Sequence, residues 1–432
     1  MNRYDRYKDS GIPWLGEVPE HWEIKHSNQI FKIHNGATPK TSEPDYWGDE
    51  IAWFTPKDLG DNKNKEIAAS LKMITKEGYE NCGVSLAPAK SIALSKRAPI
   101  GHLAITLLPA VVNQGCFLLE VLSPNDVNYL YYWLYANKST LNSFGQGSTF
   151  MELPREKFAM LKISIPSEKE QTAIAQYLDT KLGEIDALIG KQQTLLEKLA
   201  EQRTAVITHA VTKGLNPAAP MKNSGVEWLG DVPAHWEVLS IKRLSQVKRG
   251  ASPRPIDNPD YFDDDGEYAW VRIADVTASN MYLLETTQRL SDLGKSFSVP
   301  LLPNSLFLSI AGSVGKPIIT KIKACIHDGF VYFPEYKNNI KFLYYIFYSG
   351  QPYLGLGKMG TQLNLNTDTV GTIKISLPPK EEQTAITDYL DQETAKIDRL
   401  CDTVNQTIGR LKEYRTALIT QAVTGKIKIT DE

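Results

Sequence analysis

The sequence predicts a mixed α+β protein with two similar α/β domains, joined by two long antiparallel coiled-coil helices in a pseudo-twofold internal repeat. Three observations lead to this fold class. The second half of the chain repeats the first, each half ends in a long segment with apolar residues at spacings of three and four, and strand-like runs alternate with turns in between. A chain of 432 residues can form two or three separate cores. The repeat is too long for a solenoid, so we interpret it as duplicated domains.

Each half begins with a nearly identical segment, which we call a front tag. The letters SGIPWLGEVPEHWE near the start recur as SGVEWLGDVPAHWE in the middle, so that Trp22 corresponds to Trp236, 214 positions later. The predicted tags cover residues 1–23 and 215–237. The histidine before each of these tryptophans is predicted to pack against its neighbours. Two copies of one segment indicate that two places in the protein are built alike.

Behind each tag lies a more variable body, predicted over residues 24–165 and 238–377. Runs such as IAWFT and SIALS in the first body, and YAWVRI and SLFLSI in the second, alternate with Gly, Pro and Asn turns in the manner of strands. One aromatic helix precedes the last strand of each body, with the sequences YLYYWLYANK and KFLYYIFYSG. Its rings are interpreted as core rather than as a platform for stacking bases. Each body is therefore predicted to be a loop-rich α/β domain.

The long segments at 166–214 and 378–432 are predicted to be helices with a coiled-coil seam. Ser167 and Glu170 have the spacing of a capping box, and Gly214 suits a C-terminal end. One globular core rarely needs so long a seam, so we expect the helices to pair antiparallel; the alternative is that each packs on its own domain. The residues predicted to pair the helices or to dock a partner are Ile174, Leu178, Ile185, Leu188, Leu199, Arg203, Ile386, Leu390, Ile397, Leu400, Leu411 and Arg415.

Composition and motifs argue against several classes of function. The net charge is −2, the four cysteines form no Cys-x-x-Cys pair, and the histidines are dispersed. No apolar run approaches the roughly 20 residues of a membrane span, and no export signal is present, so a cytoplasmic protein is expected. The glycine-rich runs GLGKMG and GSVGKP both fail the phosphate-binding patterns that they superficially match. The chain is therefore predicted to be non-catalytic, with no metal or cofactor of its own.

With tags, bodies and helices in this order, the chain resembles the DNA-specificity subunits of Type I restriction–modification systems over essentially its whole length. The tags and the helical signatures EQTAIAQYLD…RTAVITHAVT and EQTAITDYLD…RTALITQAVT carry the resemblance. It implies two target-recognition domains, each for one half of a bipartite, asymmetric sequence in double-stranded DNA, with the helices setting the gap. It also implies two methyltransferase (modification) subunits and two restriction/translocase subunits as partners. S-adenosylmethionine, ATP and Mg²⁺ would then belong to those partners, which carry the adenine methyltransferase and nuclease activities.

Candidate DNA-binding residues are loop side chains that can reach base edges or phosphates. Lys40 and Arg254 follow the shared Gly-x-x-Pro turns, and two of the loops concerned are rich in glycine. The alternative for each is an ordinary solvated side chain. The candidates in the first body are Lys40, Lys96, Arg97, His102, Gln146, Ser148 and Thr149. Those in the second are Lys248, Arg249, Arg254, Arg272, Lys316, Lys358, Gln362 and Asn364.

Two other functions remain open at this point. A scaffold whose bodies bind protein would show no DNA sequence preference, even with a methyltransferase partner. A self-contained nuclease or methyltransferase with degenerate motifs would be active alone with metal or S-adenosylmethionine. The near-neutral charge is unusual for a DNA-binding protein, which suggests that partner subunits supply much of the phosphate contact that dominates affinity.

Overall fold

The computed structural model describes residues 3–97, 99–147, 151–354, 356 and 365–429. The chain divides into two compact units, the first made of Met1–Gln192 with Gln406–Glu432 and the second of Gln193–Asn405. Each unit therefore contains one tag, one body and a part of each long helix. In the part of the chain that is described, no helix has both the length and the apolar character needed to cross a membrane.

The first unit contains a five-stranded and a four-stranded sheet. Its strands are β1 (Tyr7–Asp9), β2 (Glu17–Pro19), β3 (Glu23–His26), β4 (Phe31–Asn35), β5 (Trp47–Gly48), β6 (Ile51–Phe54), β7 (Glu66–Ile67), β8 (Met73–Ile74), β9 (Ile92–Ser95), β10 (Leu103–Thr106), β11 (Ala110–Val112), β12 (Cys116–Val121) and β13 (Lys162–Ile165). Its helices are α1 (Pro56–Asp61), α2 (Lys76–Glu80), α3 (Val127–Ala136), α4 (Lys138–Ser143), α5 (Arg155–Ala159) and the first part of α6 (Glu168–Lys213). The sheet orders are β4-β12-β9-β10-β7 and β11-β6-β8-β5.

The second unit repeats this plan. Its strands are β14 (Met221–Asn223), β15 (Asp231–Pro233), β16 (Glu237–Ser240), β17 (Lys248–Arg249), β18 (Tyr268–Val271), β19 (Tyr282–Leu283), β20 (Gln288–Leu290), β21 (Val299–Leu301), β22 (Leu306–Ser309), β23 (Pro317–Thr320), β24 (Ala324–Ile326), β25 (Phe330–Tyr332) and β26 (Lys374–Leu377). Its helices are α7 (Ile241–Leu244), α8 (Ile273–Ala278), α9 (Asp292–Ser296), α10 (Ile340–Tyr348), α11 (Thr367–Thr372) and the first part of α12 (Lys380–Val423).

The two bodies share their central strands and differ at the sheet edges. The five-stranded sheet of the second unit has the order β17-β25-β22-β23-β19, which matches that of the first unit strand for strand. In the four-stranded sheets the parallel pair β6–β11 corresponds to β18–β24. The outer strand differs, however, because β5 pairs with β8 whereas β21 pairs with β24. The predicted fold class, two similar α/β domains in an internal repeat, is confirmed.

The aromatic helices α3 and α10 form part of the core, as predicted. Each begins behind a polar side chain that accepts hydrogen bonds from the first helical N–H groups, Asp126 for α3 and Asn339 for α10. Trp133 of α3 and Phe342 of α10 are fully buried, and each lies in the main hydrophobic cluster of its unit. Burial on this scale leaves these rings inaccessible to stacking with nucleic-acid bases.

In the first unit, the start of α6 lies beside the end of α12. Trp22 Nε1 donates to Glu170, near the start of α6, at 3.1 Å, and the same ring lies against Gly425, just past the end of α12. Further along both helices, Arg415 Nε lies 3.1 Å from Asp186 Oδ1. The two helices therefore run antiparallel within this unit.

The second unit contains the complementary parts of the helices in the same arrangement. Gly214, just past the end of α6, lies against Glu382, near the start of α12. Further along, the Arg203 guanidinium of α6 forms an ion pair with Asp398 of α12. Antiparallel pairing of the helices is thus present in each unit separately.

The predicted seam is buried only in part. Ile174, Leu178, Ile185, Leu199, Ile386, Leu390 and Ile397 are buried, and Leu411 packs against the first core. Leu188 and Leu400, by contrast, are 45% and 52% exposed. These two side chains are therefore not part of a buried helix seam. Docking of a partner at these two side chains stays a prediction.

The first tag is bound to the start of α6 through one carboxylate. Glu170 accepts hydrogen bonds from Tyr4 O–H, from His21 Nε2 at 2.9 Å and from Trp22 Nε1 at 3.1 Å. The expected capping box is therefore only half formed. Ser167 Oγ accepts from the Glu170 N–H at 3.3 Å, but the Glu170 side chain binds the tag instead of returning to the helix end.

The second tag makes fewer of these bonds. His235 Nε2 lies 2.8 Å from Glu382 Oε2, so both tag histidines bind carboxylates. Both also pack against aromatic rings as predicted, His21 on Tyr4 and His235 on Trp236. Trp236 Nε1 is buried and has no hydrogen-bond partner among the residues described. The position that corresponds to Tyr4 is occupied by Ala218. The two tags therefore share their location but not their hydrogen-bond network.

Candidate nucleic-acid interface

One edge of the five-stranded sheet in the first unit gathers three loops. β4, β12, β9 and β10 are consecutive antiparallel neighbours, so the ends of β4 and β9 lie beside the starts of β12 and β10. The loops 36–40, 96–102 and 113–115 connect to the strands there. The Lys96 N–H donates to the Gly115 carbonyl at 2.8 Å, which joins two of them. We call these three loops the first loop edge.

The cations Lys96 and Arg97 share one carboxylate at the first loop edge. Lys96 Nζ lies 3.1 Å from Glu152 Oε1, and Arg97 Nη2 lies 2.8 Å from Glu152 Oε2. Glu152 also exchanges backbone hydrogen bonds with Gln146, which is exposed. Partial burial acts to raise the pKa of Glu152, but hydrogen bonds from Arg97 and Lys96 outweigh it and hold the pKa below its ordinary value. A phosphate must therefore compete with this carboxylate for either cation.

Lys40 and His102 lie at the same edge in different surroundings. Lys40 is exposed, and its ammonium contacts no acidic group in the described part of the chain. His102 is half-buried beside Gly60. Burial, together with the positive charges of Lys138 and Lys63, lowers the pKa of His102, so the ring is neutral near pH 7. Lys40 is thus available to a phosphate, and His102 offers a neutral ring nitrogen.

The second body has an equivalent edge. β17, β25, β22 and β23 are consecutive antiparallel neighbours, and the loops 250–254, 310–316 and 327–329 connect to them at one side. The Ile310 N–H donates to the Gly329 carbonyl at 2.8 Å, which repeats the backbone contact of the first body. We call these three loops the second loop edge.

Two predicted cations contact Asp328 at the second loop edge, and a third precedes one of them on the same strand. Lys248 and Arg249 are exposed on the short strand β17. Arg249 Nε donates to the backbone carbonyl of Asp328, and Arg254 Nη2 lies 3.3 Å from Asp328 Oδ2. The arrangement gives this edge a local excess of positive charge although the whole chain carries −2.

Two further predicted cations turn toward the protein. Lys316 Nζ donates to the carbonyls of Thr277 and Ser279 at 3.0 and 2.7 Å, and burial lowers its pKa. Arg272 follows β18, which runs parallel to β24, so it lies on the side of the sheet from which 327–329 emerges. Its guanidinium bonds to Thr287. Contact with DNA would require both side chains to give up these bonds.

The remaining candidates, Ser148, Thr149, Lys358, Gln362 and Asn364, lie outside the described residues. Within the ranges that are described, no group of three or more His, Cys, Asp and Glu side chains is arranged to hold a metal ion.

The structure also brings together four residues that the sequence analysis did not single out. Thr38 and Gln114 are hydrogen-bonded across two loops of the first edge, and Ser252 and Asp328 are hydrogen-bonded across the corresponding loops of the second. The signal was present in the repeat, because each pair is related to the other by the same offset of 214 positions as the tags. It was missed because the partners are far apart along the chain.

Comparison with known proteins finds relatives that share this architecture. A family described as the Type I restriction modification DNA specificity domain matches residues 19–198 and again residues 233–409. The Type I restriction enzyme MjaIX specificity subunit of Methanocaldococcus jannaschii is 32% identical over 251 residues, which cover 55% of each chain. The MjaVIII specificity subunit of the same organism is 24% identical, over 95% of this chain and 94% of its own.

Solved structures show the same fold. A chain from a study of complex assembly and conformational transition of the type I R-M system aligns with a TM-score of 0.74 at 15% identity, covering 95% of this chain and 99% of its own. The HsdS subunit from Thermoanaerobacter tengcongensis aligns with a TM-score of 0.57 at 15% identity, covering 95% of this chain and 98% of its own. With both bodies matched by one family and the fold shared along the whole chain, this protein belongs to the Type I restriction–modification DNA-specificity family.

Proposed function

We propose that the chain is the non-catalytic specificity subunit of a Type I restriction–modification complex and that each body reads one half of a bipartite, asymmetric DNA target. The observation that carries this proposal is the pair of loop edges. They have the same strand framework and the same backbone contacts but different side chains. A framework that is kept while its exposed side chains differ is what two readers of different sequences require, because base identity is read by side chains at groove edges.

The long helices are proposed to set the gap between the half-sites and to dock two methyltransferase subunits. Leu188 of α6 and Leu400 of α12 support this, since they occupy equivalent positions of the repeat and are both exposed. Two equivalent apolar positions on two equivalent helices suit two copies of one partner. Two restriction/translocase subunits would complete the complex, and S-adenosylmethionine, ATP and Mg²⁺ would be used by these partners.

The test is to map methylated adenines in DNA from cells that co-express this chain with its methyltransferase subunit. A bipartite motif with one methylated adenine per strand and a fixed gap is expected. Exchange of Lys40–Leu161 for the corresponding segment of another member of the family should replace one half of the motif and leave the other half unchanged.

Two results would contradict the proposal. A stable complex that methylates without a bipartite motif, or not at all, would favour a scaffold. Methylation or cleavage by the purified chain alone would favour a self-contained enzyme.

A further inference from the structure

The first and third loops of each edge meet in the same close contact. A side-chain carbon on Gly36 would lie 1.9 Å from the Asn113 carbonyl oxygen, and one on Gly250 would lie 2.2 Å from the His327 carbonyl oxygen. Neither position tolerates a side chain. Backbone bonds at 3.1 Å, from the residue after each glycine to the end of β11 or β24, fix the contact. The relative position of the two loops is therefore determined by backbone alone and is the same in both bodies.

The first residue of the third loop faces inward and stabilises the turn. Asn113 Oδ1 accepts from the Gly115 N–H at 2.9 Å, and His327 Nδ1 accepts from the Gly329 N–H at 2.8 Å. An amide oxygen and a neutral imidazole nitrogen thus perform one structural task at equivalent positions. The difference between asparagine and histidine at this position therefore leaves the shape of the loop unchanged.

The second residue of the same loop faces outward and is held by a hydroxyl from the first loop. The Thr38 hydroxyl donates to Gln114 Oε1, and the Ser252 hydroxyl donates to Asp328 Oδ1 at 2.8 Å. Gln114 is exposed and Asp328 is 41% exposed. In each case the hydroxyl engages one oxygen and orients the side chain. The second oxygen of Asp328 lies 3.3 Å from Nη2 of the exposed Arg254, so a base that binds this carboxylate shares it with that guanidinium.

The two outward side chains differ in chemistry. Gln114 has a neutral amide with both donors and acceptors, whereas Asp328 has a carboxylate that only accepts. The hydrogen bond from Ser252, with the positive charges of Arg254 and Arg249, holds the pKa of Asp328 below its ordinary value despite partial burial, so it is ionised at neutral pH. One loop framework therefore presents an amide in one body and a carboxylate in the other.

We propose that Gln114 and Asp328 are equivalent specificity-determining residues, each reading a base edge in its own half-site, with Thr38 and Ser252 as the residues that position them. The inference rests on the proposed function and adds to it the residues that make the halves different. An amide suits the donor–acceptor edge of adenine in the major groove, and a carboxylate suits the N4 amine of cytosine.

The test uses isosteric exchanges in the full chain, assembled with its methyltransferase subunit. Gln114→Glu removes the amide donors, and Asp328→Asn adds donors and removes the charge, without a change in size. Methylation is measured on duplexes that carry each of the four bases at every position of the target. Each variant is expected to change base preference by about 10-fold or more at one or two positions of one half-site, and the two variants should affect opposite halves.

Matched controls separate a specific effect from a general one. Asn128→Asp makes the amide-to-carboxylate exchange at the start of α3, beyond the opposite end of β12, and Asp264→Asn makes the reverse exchange at an exposed position of the second body. Both controls should keep the wild-type preference. Assembly with the methyltransferase subunit is confirmed by size-exclusion chromatography. If an isosteric variant does not assemble, the alanine variant at the same position is used instead, and its methylation is measured on the same duplexes.

The outcomes distinguish this inference from the proposed function. No bipartite preference in the wild-type complex overturns the proposed function. A normal wild-type motif with unchanged preference in both variants overturns the inference alone. It is overturned equally by variants that lower methylation of every duplex to the same extent, because that result marks a general role in binding or structure.

Discussion

At the scale of single residues, Glu152 offsets part of the positive charge at the first loop edge. Its carboxylate pairs with both Lys96 and Arg97. We predict that Glu152→Gln strengthens non-specific DNA binding, because each cation released for a phosphate steepens the dependence of log K on log salt by about 0.9. Fluorescence anisotropy of the complex with random duplex, between low and moderate salt, measures this slope. An unchanged slope would show that neither cation reaches a phosphate.

His327 makes the second loop edge sensitive to acid. Its Nδ1 accepts a hydrogen bond from the Gly329 N–H. A protonated ring cannot accept this bond, because Nδ1 then carries a proton. The pKa of His327 is lowered from 6.5 by burial, reinforced by Arg249 and opposed by Asp328. The unfolded chain therefore binds a proton more readily than the folded one, so stability falls as pH drops below about 6.5.

We predict that His327→Asn reduces this loss, because asparagine serves the same purpose at position 113 and does not titrate. Urea unfolding at pH 7.5 and pH 5.5, compared between wild type and variant, gives the measurement. Equal losses in the two proteins would assign the acid sensitivity to other groups.

Single residues also show which features of the loop edges the sequence could predict and which it could not. Cations such as Lys40 and Arg254 were predicted because they follow the shared Gly-x-x-Pro turns, and the strand order places them at the loop edges. Thr38 and Gln114 were missed despite their place in the repeat, since a hydrogen bond between loops so far apart in sequence depends on how β4 and β12 pair. Lys316 looked like a surface cation in the sequence, yet its ammonium binds two backbone carbonyls. The direction of a side chain depends on the tertiary structure, so apolar periodicity and sequence motifs do not predict it.

At the scale of secondary-structure elements, glycines weaken the long helices without an evident packing reason. Gly183 and Gly409 lie inside α6 and α12, and a side-chain carbon on either would meet nothing within 4 Å. We predict that Gly183→Ala and Gly409→Ala each raise the free energy of unfolding by roughly 1 kcal/mol, as measured by urea denaturation.

Gly214→Ala is the matched contrast for these two variants. Gly214 has a φ of +73° and lies against Trp236. Gly214→Ala should therefore lower the free energy of unfolding by at least about 1 kcal/mol. A stabilising Gly214→Ala, or a destabilising exchange at the two interior positions, would contradict the geometry.

The helices also show what periodicity can predict. Their existence and approximate ends followed from the apolar spacing and from Gly214, and the structure has them at Glu168–Lys213 and Lys380–Val423. The exposure of Leu188 and Leu400 could not be predicted in the same way. Apolar residues at spacings of three and four show which face of a helix is apolar, but not which stretch of that face is covered by other residues. Coverage depends on which other residues pack against the helix in the folded chain, and sequence spacing does not record that.

At the scale of the whole molecule, the charge balance argues that recognition is shared with partners. The chain carries −2, and several of its loop-edge cations are already paired with Glu152 or Asp328. Phosphate neutralisation supplies most non-specific affinity and a large share of specific affinity. We therefore predict that the isolated chain binds its own target at least about 10-fold more weakly than the complex with its methyltransferase subunit, with a shallower salt dependence.

Anisotropy titrations of chain and complex against target and scrambled duplexes provide the measurement. A chain that alone matched the affinity, the preference and the salt slope of the complex would show that the bodies grip the phosphates unaided. A chain with the full base preference but weak affinity would support a division of labour in which the bodies read the bases while the partners bind the DNA backbone.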